Sequence, residues 1–238
     1  MTEHPHVIDV EAEDITHSSP HPPSVVGTTR HEFSMIPPRT FGQLALFYRR
    51  TPVDLALYAS WSELFNAANS QLWNFWNRDD YDPTTGLLRP VAAAAACLSL
   101  LDWSSKVSGS DFDDRPSGPG PLKAGPLCIH QSEAPGSTPR FDLIPTGPLA
   151  SLAQLYAMPV IYGPERWSDC FTSAMEHLWL FWEGQSIDYG RGVPHLLLAA
   201  QQMMTLSEMA HARPDLDDRP AADGVPGVRR RRRWWWPF

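Results

Sequence analysis

The residues of this chain best suited to chemistry are three carboxylates and two histidines set at the ends of apolar runs. Asp188 lies in the segment Asp188-Tyr-Gly-Arg-Gly-Val-Pro-His195, and His177 lies eleven residues before it in an apolar helical pattern. An aspartate in a loop between helices can reach a metal-bound phosphate or close an Asx turn on its own backbone. His195 opens an apolar helix, where the positive end of the helix dipole favours phosphate; a capping role is the alternative. His177 sits one step from the apolar stripe, where a satisfied structural histidine is the other reading. Asp79 and Asp82 occupy the corresponding stretch earlier in the chain. Asp169, Glu176 and Glu183 recur every seven residues on one helix. Glu176 lies about 200° round from Leu178 at 3.6 residues per turn, so this stripe is expected to face solvent. Glu183 stays a metal candidate because it neighbours the Asp188 loop. Arg140 and Asp142 suit either substrate binding or a salt-bridged loop anchor. P-loop, Rossmann, zincin and nucleophile-elbow patterns are absent.

These residues must be positioned by helices, and the helices come in two sets. Trp61-Ser62 matches Trp167-Ser168 at an offset of 106, as do Phe65 and Phe171, Leu72-Trp73 and Leu178-Trp179, Phe75-Trp76 and Phe181-Trp182, Asp82 and Asp188, and Gly86 and Gly192. Over Trp61 to Asp102, 13 of 42 positions are identical at that offset. Upstream, an offset of 108 pairs Phe33, Ile36-Pro37, Leu44-Ala45 and Tyr48 with Phe141, Ile144-Pro145, Leu152-Ala153 and Tyr156. Six of the seven tryptophans before the C-terminal tail fall into matched pairs. Matched spacing over this length predicts two copies of one structural unit.

Each unit reads as helical. Phe171, Ala174, Met175, Leu178, Phe181 and Trp182 follow the i, i+3, i+4, i+7 pattern, with Ser168 before and Gly184 after as cap signals. The next helix, about 195–212, is apolar on nearly every side and must be central. Its counterpart, 91–101, carries five alanines at 92–96 that permit close helix approach. A shorter helix opens each unit, about 40–50 and 149–158. The predicted fold is therefore all-α, two tandem units packed as a pseudo-symmetric bundle.

Composition sets the boundaries and excludes several classes. The expected division is an irregular arm over 1–32, a first repeat over 33–103, a Pro/Gly-rich linker over 104–138, a second repeat over 139–212, and an irregular Arg/Trp tail over 213–238. Twenty-four prolines in 238 residues exceed average usage of about 5%. A net charge of −8 includes Arg229–Arg233, leaving the rest near −13, which disfavours a nucleic-acid-binding body. No apolar run reaches the roughly 18 residues of a membrane span, and the N-terminus lacks signal-peptide character. Three cysteines without C-x-x-C spacing speak against a disulfide scaffold or zinc ribbon, and a cytoplasmic protein is expected. The tail Arg-Arg-Arg-Arg-Arg-Trp-Trp-Trp-Pro-Phe has groups for anionic lipid or single-stranded nucleic acid, or is a weakly selected terminus.

The motifs RFDLIP (140–145), YGPERW (162–167), EHLWLFWEG (176–184) and D-x-x-x-G-x-PH (188–195) resemble those of the phage-type dATP/dGTP diphosphohydrolase domain, a relative of MazG-like all-α nucleotide pyrophosphohydrolases. The resemblance covers about 70 residues of the second copy and, more weakly, the parallel stretch of the first. It implies a bacterial or phage-infected host and a fold that assembles from paired protomers, here replaced by a fusion or extended to a homo-oligomer. It further implies a divalent metal, Mg²⁺ or Mn²⁺, that activates water to cut a deoxynucleoside triphosphate into monophosphate and pyrophosphate. Under it His177, Asp188 and His195 are catalytic, Arg140 and Asp142 bind substrate, and Asp79, Asp82, Glu183 and Asp188 hold metal.

Several family positions differ: Ile161 replaces a lysine, Glu176 an arginine, Gln185 and Arg191 glutamates, and Leu198 a histidine. In the first copy Gln71 stands at one histidine position and Pro90 or Arg89 at the other. Two readings follow. The halves complement each other in one composite metal site, or the fold has lost catalysis and serves as a nucleotide-binding or interaction module.

Overall fold

The structure is a computed structural model describing residues 33–51, 60–106, 113–116, 139–158 and 165–221. The expected arm at 1–32, most of the linker, Ile161 and the Arg/Trp tail from 222 onward lie outside the described residues. Among the described residues six α-helices carry the fold: α1 (Pro38–Arg50), α2 (Trp61–Trp76), α3 (Arg89–Lys106), α4 (Thr146–Ala157), α5 (Trp167–Trp182) and α6 (His195–Ala212). The one sheet among the described residues is a two-stranded hairpin, β1 (Ile187–Asp188) and β2 (Val193–Pro194). The all-α expectation holds.

Lengths and contacts of the two halves agree in detail. Helices α2 and α5 both have 16 residues, and α3 and α6 both have 18. Ile187 pairs with Pro194, and Tyr81 bridges Leu88 at the matching positions. Gly86 and Gly192 close these two turns at φ +67 and +66, a left-handed conformation that L side chains resist. Tyr48 donates to Ala95 O and pairs with Ser99 Oγ, both at 2.9 Å; Tyr156 makes the equivalent contacts with Gln201 O and Thr205 Oγ1 at 3.2 and 3.3 Å. Each opening helix is thus pinned to its central helix by one phenol, buried at Tyr48 and partly buried at Tyr156, and desolvation raises the pKa of both.

The core lies where α3 and α6 pack against each other, flanked by α2 and α5. Ala92–Ala96 are all buried, and their small side chains let the central helices approach closely. Cys97 Sγ lies 3.9 Å from Met203 Sδ, so the helices meet at a position facing its own mate. The flanking helices exchange aromatic contacts reciprocally. Trp61 stacks on Phe181 as Phe75 stacks on Trp167, and Phe65 stacks on Trp182 as Trp76 stacks on Phe171. Helix starts therefore meet helix ends, and α2 runs antiparallel to α5.

Three boundaries differ from the sequence reading. Helix α3 runs from Arg89 to Lys106, five residues past the expected helix end at 101 and three past the expected end of the first repeat at 103. Residues 113–116, expected in the linker, dock on the body through Arg115. Residues 213–221, expected in the irregular tail, form a short 3₁₀ turn and a strap that buries Arg219. In both straps, cation–π contacts and hydrogen bonds to the helices order a segment whose proline, glycine and aspartate content suggests a loop. The start of α5 also differs. It is held by Asp169, whose carboxylate accepts the amides of Glu165 and Arg166 at 2.9 and 2.8 Å, rather than by a Ser168 cap.

Candidate functional site: an imidazole cleft in the second half

Helix α5 and the hairpin before α6 enclose a cleft of about 380 Å³, lined by Glu176, His177, Asp188, Tyr189, Arg191 and His195 among others. His177 sits between the apolar face of α5 and solvent, and His195 is the first residue of α6. Their Nδ1 atoms lie 2.9 Å apart, so one ring donates and the other accepts. Burial lowers both pKa values, and for His177 the neighbouring His195 lowers it further. Values below the ordinary imidazole range favour the neutral form of both rings at pH 7, and the hydrogen bond itself needs the accepting ring to be unprotonated.

The Asp188 loop has a local cause. Asp188 Oδ1 accepts the amides of Gly190 and Arg191 at 2.9 and 3.3 Å, closing an Asx turn, while its backbone oxygen accepts Gly192 N at 2.7 Å. Asp188 Oδ2 lies 3.9 Å from Arg191 Nε. The His195 amide, a free donor in the first turn of most helices, is spent on Ser186 O at 3.1 Å. Tyr189 stands at the rim, 90% exposed.

The first half closes the matching position. Arg89, the counterpart of His195, is buried at the start of α3 and donates to Gln71 Oε1 at 2.7 Å, Gln71 being the counterpart of His177. It also forms an ion pair with Asp79. Asp82 accepts from Thr85 N at 2.9 Å and Thr85 Oγ1 at 2.6 Å, and from Gln71 Nε2 at 3.4 Å. Both acids are thus engaged within their own half.

Of the expected site residues, the structure brings together His177, Asp188 and His195, with Glu176 and Arg191 beside them. It does not bring Asp79 or Asp82 to them. The antiparallel pairing of α2 and α5 puts the 77–88 loop beside the start of α5 and the 183–195 loop beyond its end, about 24 Å of helix away at 1.5 Å per residue. The composite site is therefore not formed. Glu183 is the exposed residue closing α5 and does not line the cleft. Asp169, Glu176 and Glu183 are exposed, as the helical phase requires. Arg140 and Asp142 lie outside the cleft and spend their charges on each other, with Nε to Oδ1 at 2.7 Å.

A hard divalent cation does not fit these donors. Mg²⁺ and Mn²⁺ favour several converging oxygens, whereas the closest inward-facing pair here is two nitrogens. Asp188 already holds two amides, and no three His, Cys, Asp or Glu side chains among the described residues are arranged to hold an ion. Among the described residues no cysteine lines this cleft. Cys97 and Cys170 are buried, and burial pushes the Cys170 thiol up to about 12 and raises that of Cys97.

One pair of matched segments lies outside the helical repeats. Asp113-Asp-Arg-Pro116 and Asp217-Asp-Arg-Pro220 are identical tetrapeptides at an offset of 104, a signal hidden by composition typical of linkers. Arg115 lies 4.7 Å from the ring centres of Trp61 and Phe181, and Arg219 lies 4.3 and 4.7 Å from those of Phe75 and Trp167. Asp114 and Asp218 accept the Ser62 and Ser168 amides, each at 2.9 Å, at the starts of α2 and α5.

Fold and site together define an all-α bundle protein with a polar cleft at the start of a central helix. Residues 130–219 match the family model described as dATP/dGTP diphosphohydrolase, N-terminal, a span that contains the whole cleft. No curated protein and no solved structure matches the chain. Among the described residues, no helix is long and apolar enough to cross a membrane.

Proposed function

We propose that the chain is a nucleotide-binding protein of dATP/dGTP diphosphohydrolase type, whose second-half cleft takes a purine deoxynucleoside triphosphate. The observation that carries this reading is the neutral His177–His195 pair, set with Arg191 at the start of α6 inside the matched segment. The helix dipole and the Arg191 guanidinium attract phosphate, and the imidazole pair, bonded through its Nδ1 atoms, offers one Nε2 donor and one Nε2 acceptor without adding charge. Asp188 orders the loop through its turn. Tyr189 offers an exposed ring on which a base can stack.

On this reading the two halves are copies of one unit, divided as the helices divide them, and the first copy is structural because Arg89 fills its site. Their internal pairing stands in for a homodimer. The protein acts in the cytoplasm of a bacterial or phage-infected cell, and the Arg/Trp tail supplies a contact to anionic lipid or nucleic acid.

A second reading is favoured by the match itself: metal-dependent hydrolysis of the deoxynucleoside triphosphate to monophosphate and pyrophosphate. It requires the carboxylates that line the cleft, Asp188 and Glu176, to turn toward one ion.

One experiment separates the two. Purified protein is titrated calorimetrically with each dNTP, with and without Mg²⁺ or Mn²⁺, and the products are then resolved. Saturable binding without monophosphate release is expected. Metal-dependent release of monophosphate and pyrophosphate establishes the second reading, and no binding under any condition overturns both.

A further inference from the structure

The segment that matches the diphosphohydrolase model does not hold its cleft in place alone. We infer that Arg115, contributed by the strap that follows the first half and lying outside residues 130–219, is a positioning residue for the second-half cleft. This inference rests on the reading of that cleft as the binding site.

The contacts run in a short chain. Arg115 is anchored by Asp113 through two bonds, Nε to Oδ1 at 2.8 Å and Nη2 to Oδ2 at 2.6 Å. With its direction set, Nη1 donates to Phe181 O at 3.0 Å and to Ser186 Oγ at 3.3 Å. Phe181 O is one of the last carbonyls of α5, which also accepts Glu183 N and Gly184 N as the chain leaves the helix. Ser186 in turn accepts the His195 amide through its backbone oxygen. One guanidinium therefore grips both the end of the helix bearing His177 and the loop that sets the start of the helix bearing His195. The distance between the two imidazoles depends on that grip. Its side chain is 10% exposed and packed against Trp61 and Phe181, so water competes poorly for these bonds.

The pseudo-symmetry supplies a matched control. Arg219 makes the same contacts at the other end of the helix pair, donating to Phe75 O at 2.6 Å and pairing with Asp80, the counterpart of Ser186. It touches neither the cleft nor its loop. Loss of either arginine removes a comparable strap, but only loss of Arg115 reaches the histidines.

The test uses the full chain with isotopically labelled histidine. In the wild type, long-range ¹H–¹⁵N spectra report unequal ring nitrogens for the bonded pair. Arg115→Ala is expected to change the His177 and His195 signals toward those of independent imidazoles and to weaken dNTP binding at least ~10-fold, with Arg219→Ala leaving both near wild type. Should an alanine variant fail to fold, Arg115→Lys and Arg219→Lys are compared instead. Lysine keeps the cation but lacks the planar fork that joins Asp113, Phe181 and Ser186. Unchanged histidine spectra in the folded Arg115 variant, or equal changes in the Arg219 variant, overturn the inference. Wild type that binds no dNTP refutes the binding reading, while the spectra still decide the role of Arg115.

Discussion

Trp76 stacks on Phe171 with ring centres 4.4 Å apart and planes 20° from parallel, and the positions 106 residues away repeat the contact with partners exchanged: Trp182 stacks on Phe65 at 4.5 Å and 19°. An exchange of this kind is what a two-fold interface between identical protomers produces. Here it occurs within one chain, and it makes each flanking helix dependent on the other half.

Equivalent stacks should carry equivalent energy. Trp76→Ala and Trp182→Ala are each expected to cost about 2–4 kcal/mol, at or just below the range for truncating a core aromatic because both rings are only partly buried. Urea unfolding should give values within about 1 kcal/mol of each other. A single transition in each variant would show that the halves unfold together; two transitions would show that they do not.

Acid should destabilise the fold through its histidines. Burial lowers the pKa of His177, His195 and His211 in the folded chain. Below the ordinary imidazole value of about 6.5, the unfolded chain then binds more protons than the folded one, so stability falls as pH falls through the folded values. Melting temperature should drop as pH falls below about 6.5. The drop should be smaller in His177→Gln, which installs the first half's residue at that position. An unchanged slope in that variant would remove the imidazole pair as its source.

Arg219 is 3% exposed and holds Asp80, Asp217 and the Phe75 carbonyl. Arg219→Ala should cost about 2–3 kcal/mol, the scale of hydrogen bonds to charged groups. Truncating the chain after Ala212 should cost at least as much, because the strap carries both this arginine and the Asp218 contact to the start of α5. A chain ending there that keeps wild-type stability would show that the strap is dispensable.

Asp188→Asn keeps the acceptor used by Gly190 and Arg191 and removes the charge. Its effect on stability should stay within about 0.5–1 kcal/mol, measured by denaturant midpoint. Under the hydrolytic reading, turnover should fall at least ~100-fold, the scale of losing one strong electrostatic contact at a reacting centre. Under the binding reading, affinity for a triphosphate should hold or rise, because a carboxylate that repels phosphate is gone. Turnover that survives the substitution would remove Asp188 from catalysis.

Local pattern was enough to locate the helices. The 3.6-residue spacing of Phe171, Leu178 and Phe181 placed α5, the unbroken apolar run from Leu196 placed α6 at the centre, and the phase of Glu176 against Leu178 turned the acidic stripe to solvent. The placement of His195 at the start of α6 was legible too, because Gly192 and Pro194 stop the chain just before an apolar run. Which residues meet was settled by the tertiary structure. Periodicity along a helix carries no information about the direction of the helix beside it, so the separation of Asp79 and Asp82 from Asp188 follows only once α2 and α5 are seen to run antiparallel. The straps show the same limit. An Asp-Asp-Arg-Pro segment reads as loop from its composition, and its order comes from rings and carbonyls far away in sequence, which exist as a docking site only when the two halves have packed.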